Sequence, residues 1–150
     1  MHSRLARDRY FNDFFRYISN SGQFSKTRQF IQHGDTSVYS HCVAVAYVSL
    51  WFSYRLHLSV SKQSLLMGAF LHDYFLYDWH EKSDWHKWHG FSHPFRAAGN
   101  ARRIFHIGKR ERQIIESHMW PLTFRHVPSC REAVIVCLAD KYCAVVESMF

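Results

Sequence analysis

Apolar residues recur along this chain at the three- and four-residue spacing that is typical of α-helices. In residues 7–18, RDRYFNDFFRYI, aromatic and aliphatic side chains fall on one face of an amphipathic helix. Residues 36–58 are apolar on nearly all sides and predict a long buried helix, with Thr36 or Ser37 as its N-cap. No segment shows sustained two-residue alternation bounded by hairpin turns, so the pattern predicts an all-α domain.

The same periodicity predicts further helices in the remainder of the chain. Ser61 is a plausible N-cap for one of them, and the order Ser92, His93, Pro94 suits the start of another. The β-branched run in EAVIVCLA could form a strand, but its continuation into DKYCAVVE favours a helix. The predicted helices cover residues 61–73, 92–105, 108–119 and 130–147.

Residues 74–91 interrupt this pattern with a poorly periodic stretch that is rich in aromatic residues and histidine. A loop of this length inside a compact domain is usually functional, so we expect this stretch to form a lid over the site or to cover the helical bundle. Its aromatic rings either stack on a nucleobase above the site or simply cover the bundle. The rings are those of Tyr74, Phe75, Tyr77, Trp79, Trp85 and Trp88, and the loop histidines, interpreted as surface residues, are His80, His86 and His89.

Length and composition indicate one soluble domain over residues 1–150, because 47% of the 150 residues are hydrophobic. The longest apolar run, residues 43–52, is about half the length that spans a bilayer, and no secretory signal is recognisable. The four cysteines lack CxxC spacing and are interpreted as reduced thiols. These features predict a cytoplasmic protein.

The formal net charge is +7, but the basic residues are scattered. This pattern indicates a solvated basic surface or the steering of a small anionic substrate, and it argues against nucleic-acid binding. The predicted partner is therefore a small anionic compound, with no membrane partner. A homodimer through the apolar first helix is left open.

Polar residues recur where the helices are most apolar. An unpaired buried carboxylate is expensive, whereas a bound cation compensates both carboxylates and neutral imidazoles. Any one of these residues could be an ordinary hydrogen-bonded core residue, but six of them on five helices favour a metal site. The six are His41, His72, Asp73, His93, His118 and Asp140.

Six side chains exceed what one catalytic ion with open positions needs, so we predict two ions that share Asp73 as a bridge. The donor set suits Fe, Mn, Co or Zn better than Cu(I) or Mg. The predicted ligands are His41, His72, Asp73 and Asp140 for the first ion, and Asp73, His93 and His118 for the second.

In this order, the residues resemble the HD-domain superfamily of metal-dependent phosphohydrolases, whose pattern is an isolated His, a His-Asp pair and a distal Asp. The resemblance covers nearly the whole chain and implies a bundle of about six to seven helices. The additional His93 and His118 resemble its two-metal branch. That branch includes diadenosine-polyphosphate hydrolases, cyclic-dinucleotide phosphodiesterases, myo-inositol oxygenase and the phosphonate-cleaving oxygenase.

Local strings such as QHGDTSVYSHC, LHDYFLYDWH and CLADKY are similar to a compact bacterial group labelled HD-family phosphohydrolases. Leu76 stands where the cyclic-di-GMP phosphodiesterases carry a lysine, and their Gly-Tyr-Pro signature is absent. The Glu-Asp pair of the (p)ppGpp hydrolases is also absent. The resemblance therefore implies neither signalling nucleotide.

The predicted reaction is hydrolysis of a phosphomonoester, nucleotide or phosphoanhydride by a hydroxide that bridges two ions, iron being the first choice. Asp73 is the central catalytic residue. Lys141 and Arg96 are candidate phosphate contacts, each with a solvated surface cation as the alternative, and His33 is a candidate general acid. Two other functions stay open: a mixed-valent di-iron oxygenase with the same ligands, and a non-catalytic metal-binding or sensing domain.

Overall fold

The computed structural model describes residues 8–77 and 89–149. Over these residues the chain forms seven α-helices, one 3₁₀ turn and one short hairpin, which confirms the predicted all-α class. The elements are α1 (Arg9–Asn20), α2 (Gly22–Ser25), the 3₁₀ turn (Lys26–Gln29), β1 (Ile31–His33), β2 (Thr36–Ser37), α3 (Val38–Arg55), α4 (Lys62–Leu71), α5 (His89–Phe105), α6 (Lys109–Ser117) and α7 (Arg131–Met149).

Helix α3 lies at the centre of the bundle and packs against both α4 and α7. It begins where the Ser37 hydroxyl accepts the Ser40 N–H at 3.2 Å, so Ser37 rather than Thr36 is the N-cap. Ser61 caps α4 in the same way, as predicted, with its hydroxyl 3.3 Å from the Ser64 nitrogen. Both caps satisfy a backbone donor that the first helical turn leaves unpaired.

Helix α6 closes the bundle against α4 at Gly68. A Cβ added to Gly68 would lie 2.5 Å from Ile114 Cγ2 and 2.9 Å from Ile114 Cβ. Only a residue without a side chain lets the two helices approach this closely.

The start of α5 differs from the sequence prediction. The helix begins at His89 and not after Ser92, and Pro94 lies inside it. Pro94 cannot donate a backbone hydrogen bond, but the additional N-terminal turn packs Gly90 close to Leu122. This contact with a distant segment is not revealed by a capping signal alone.

A two-stranded hairpin precedes α3, where the periodicity predicted no strand. Ile31 pairs with Ser37 and His33 pairs with Thr36, around a turn in which Gly34 has φ of 52°. Glycine adopts this left-handed conformation without steric cost. The hairpin is too short to show a two-residue alternation in the sequence, yet it carries Gln32 into the core.

The aromatic loop is only partly described. Tyr74 and Phe75 are buried in the core, where Tyr74 packs edge-on against Phe105 and Phe75 against His93. These two rings therefore cover the bundle. The side chain of His89 and the loop residues Trp79, His80, Trp85, His86 and Trp88 lie outside the described residues.

The helices that the structure describes include none with the length and apolar character needed to cross a membrane.

Candidate metal centre

Five helices direct the six predicted ligands toward one point in the bundle. His41 lies in the second turn of α3, and Asp140 lies in the middle of α7. His72 and Asp73 directly follow α4, His93 belongs to α5, and His118 directly follows α6. All six are buried, with side chains no more than a tenth exposed, so polar atoms are concentrated in an otherwise apolar core.

Four of these residues form a first group on the α3 and α7 side of the centre. His41 Nε2 lies 3.1 Å from Asp140 Oδ1 and 3.2 Å from His72 Nε2. Asp73 Oδ2 is 3.4 Å from His72 Nε2 and 3.7 Å from His41 Nε2. One ligand atom from each residue therefore falls within 4.8 Å of the others, as a shared cation requires.

The second group joins Asp73 to the two histidines of α5 and α6. His93 Nε2 lies 3.1 Å from Asp73 Oδ1, and His118 Nε2 lies 3.4 Å from the same oxygen. The two imidazole Nε2 atoms are 3.0 Å apart. Asp73 thus presents Oδ2 to the first group and Oδ1 to the second, which is the geometry of a bridging carboxylate.

Hydrogen bonds at the opposite ring nitrogen orient three of the histidines. His72 Nδ1 donates to the Ala69 carbonyl and His118 Nδ1 donates to the Ile115 carbonyl, each at 2.7 Å. His41 Nδ1 lies 2.8 Å from Glu147 Oε2. Each bond leaves Nε2 facing the centre, and such outer partners are a regular feature of metal-binding histidines.

Gln32 supports the shared carboxylate from the hairpin. Its side-chain amide donates to Asp73 Oδ2 at 2.5 Å, and the residue is 8% exposed. The Asp73 Oδ1 atom has no hydrogen-bond partner among the described residues, although it is fully buried. A buried carboxylate oxygen without a donor is costly, and a cation at the second group would compensate it.

Protonation in the absence of metal follows from the same contacts. Burial opposes charge on His41, but hydrogen bonds with Asp140 and Glu147 outweigh burial and raise its pKa to about 10. Burial also opposes charge on His72, yet Asp73 raises its pKa well above the usual value. Burial lowers the pKa of His118, which keeps that imidazole neutral and ready to bind a cation.

The two carboxylates are ionised despite being buried. Burial favours their neutral forms, but the positive charge of His72 lowers the pKa of Asp73, and the hydrogen bond from His41 lowers that of Asp140. Negative carboxylates and inward-facing imidazole nitrogens are suitable donors for a divalent cation of the iron, manganese, cobalt or zinc type. The residues present therefore fit two metal ions.

A cavity of about 580 Å³ opens beside the second group. Lys141 lines it, and the Lys141 ammonium donates to the His118 carbonyl at 2.9 Å. Arg96 does not line this cavity: its guanidinium lies over the Tyr77 ring, 5.4 Å from the centroid. His33 ends strand β1, and its side chain lies outside the described part of the structure.

Sequence reasoning missed Gln32 and Glu147. Glu147 follows Asp140 by seven residues, which is two helical turns, so both side chains lie on the face of α7 that meets His41. That spacing was a usable signal. Gln32 gave no such signal in the sequence, because only the folded hairpin brings it next to Asp73, which lies 41 residues further along the chain.

This helical bundle encloses two adjoining His/Asp groups that could hold metal ions, and a comparison with known families gives its class. The family model of the HD domain matches residues 38–145, which include all six ligands. The chain therefore belongs to the HD-domain family. Searches of curated proteins and of solved structures found no match.

Proposed function

We propose that this HD-domain protein is a phosphohydrolase that cleaves a small phosphate ester or phosphoanhydride with two divalent ions. The observation that carries the proposal is the orientation of Asp73, which offers one carboxylate oxygen to each of two buried groups. Metal-dependent phosphohydrolysis is the usual activity of the HD family. Iron is the proposed metal, with manganese, cobalt and zinc as alternatives.

Two divalent ions held by these two groups would supply an activated water and neutralise charge on the phosphoryl oxygens. The protein holds the ligand atoms in place before substrate arrives. Asp73 is fixed by Gln32, and His41 by Glu147. Because the imidazoles already face inward and the surroundings are apolar, little reorganisation is needed when a charged phosphoryl group enters.

Lys141 is the proposed protein contact to the phosphoryl group. It lines the cavity, and its hydrogen bond to the His118 carbonyl holds the ammonium beside the second group. Positive charge at this position would attract an anionic substrate toward the ligands. Arg96 is left out of the proposal because it does not line the cavity, and a general-acid role for His33 stays a prediction.

Phosphate release tests the proposed function. Protein reconstituted with iron under anaerobic conditions, or with manganese, should hydrolyse members of a panel of phosphomonoesters, nucleotides and dinucleoside polyphosphates. Chelation should abolish the activity, and Asp73→Asn should abolish it while the helical circular dichroism is retained. Fully loaded protein that releases no phosphate from any compound would contradict the proposal. Substrate-dependent O₂ uptake would instead identify an oxygenase.

A further inference from the structure

The cavity beside the metal centre has two chemically different sides. One side consists of ligands, with Asp73, His93, His118 and Asp140 on its surface. The other side consists of small or apolar residues from the start of α5, the segment after α6 and the end of α7. These residues are Gly90, Met119, Pro121, Leu122 and Ala144.

Few polar atoms remain in the described wall for an organic group to contact. Apart from the ligands, only Gln32 and Lys141 are polar. The Gln32 amide nitrogen is bound to Asp73, and its Oε1 atom, although it has no hydrogen-bond partner among the described residues, is buried and not exposed at the cavity surface. The Lys141 ammonium donates to the His118 carbonyl at 2.9 Å and makes longer contacts with the Cys137 carbonyl and sulfur, at 3.4 and 3.3 Å, which a phosphoryl group would replace. Against this described part of the wall, a sugar or a nucleobase would place its hydroxyl or ring nitrogen atoms against carbon, which is unfavourable.

From this division we infer that the substrate is a phosphate monoester of a compact apolar alcohol, aromatic or aliphatic, rather than a nucleotide or a sugar phosphate. The inference rests on the proposed function. The phosphoryl group would lie against the ligands and Lys141, and the organic group against Met119, Pro121 and Leu122. The volume of about 580 Å³ lies within the range of roughly 300–1,000 Å³ that is usual for small-molecule sites.

Leu122 is the residue through which the inference is best tested. It is 44% exposed and follows α6 in a segment without regular helix, so a polar side chain there leaves the core intact. Leu138, 56% exposed on α7, does not line the cavity and is the matched control. Leu122→Asn and Leu138→Asn therefore make the same chemical change inside and outside the proposed contact surface.

Binding of non-hydrolysable phosphonates separates this inference from catalysis. Binding is measured by isothermal titration of zinc-loaded full-length protein. Phenylphosphonate and butylphosphonate should bind at least about tenfold more tightly than methylphosphonate, because the phenyl and butyl groups bury apolar surface in the cavity. The polar analogue 2,3-dihydroxypropylphosphonate should bind no more tightly than methylphosphonate. Leu122→Asn should weaken the binding of phenylphosphonate by about tenfold and leave the binding of methylphosphonate unchanged. Leu138→Asn should alter the affinity for neither compound.

The inference would be overturned if the dihydroxypropyl compound bound as tightly as butylphosphonate, if Leu122→Asn had no effect, or if no phosphonate bound. Failure of the proposed function gives a different result. In that case the phosphonates would still bind with the expected order, while no phosphate ester would be hydrolysed.

Discussion

At the scale of single residues, Glu147 shows how the centre depends on contacts beyond its ligands. Its carboxylate lies 2.8 Å from His41 Nδ1 and fixes that imidazole with Nε2 inward. Glu147→Ala should lower metal affinity by about 10- to 100-fold, the usual cost of losing such a partner. Glu147→Gln should cost less, because its amide oxygen still accepts the hydrogen bond.

The matched control for this prediction is Glu116→Ala. Glu116 pairs with Arg112 along α6 at 2.7 Å and, unlike Glu147, forms no ion pair with the six candidate ligands among the described residues, so its loss should leave metal affinity unchanged. Competition titration with a metal indicator measures both variants. Equal affinity of Glu147→Ala and wild-type protein would show that Glu147 does not support the site.

His41 and His72 also predict how metal binding depends on pH. Their pKa values in the metal-free protein are raised, that of His41 to about 10, so the positively charged imidazolium form is favoured at these sites at neutral pH. A divalent ion must displace protons from the ligand nitrogens, and metal affinity should therefore rise with pH. Titration at pH 7 in two buffers of different ionisation enthalpy should detect proton release, and its absence would contradict the assigned protonation.

The same shift predicts the stability of the metal-free protein. A histidine whose pKa is raised on folding stabilises the folded state fully below its unfolded pKa of 6.5, and this contribution is lost as pH rises through about 10. The Tm of metal-free protein should therefore fall between pH 7 and pH 10. His41→Gln should flatten this dependence. A Tm of metal-free wild-type protein that is constant over this range would contradict the assignment.

At the scale of helices, the contact between α4 and α6 gives a prediction about stability. Gly68→Ala improves helix propensity, but the new Cβ would lie 2.5 Å from Ile114 Cγ2. We expect a net loss of about 1–3 kcal/mol in the free energy of unfolding, measured with urea. Gly99→Ala, in α5 with no atom near the added Cβ, should instead gain roughly 0.5–1 kcal/mol. Stabilisation by both substitutions would contradict the close packing at Gly68.

The helices themselves were predictable because apolar spacing and N-caps are local signals. Ser37 and Ser61 begin their helices as the sequence indicated. The extra turn of α5 and the hairpin around Gly34 were not predictable, since each depends on tertiary contacts. Gly90 packs on Leu122 across the fold, and Gln32 reaches Asp73 from a strand of only three residues.

At the scale of the whole molecule, the six candidate ligands could be picked out because charged and polar residues are unusual in apolar helices. The structure brings these six together, and Asp73 lies between the two groups. What sequence could not show was the support from Gln32, which becomes recognisable only through its contact with Asp73, whereas the seven-residue spacing of Glu147 from Asp140 was a signal that sequence reasoning missed. The apolar side of the cavity was hidden for the same reason, because its residues come from three separate segments.

The central claim is that one chain holds two ions that share Asp73, and metal content per chain tests it most directly. Protein reconstituted with iron or manganese, freed of excess metal and measured by mass spectrometry, should contain about two ions per chain. His118→Ala and His93→Ala should each reduce this to about one, with the helical circular dichroism preserved. One ion per chain in wild-type protein, retained unchanged in both variants, would contradict the second site.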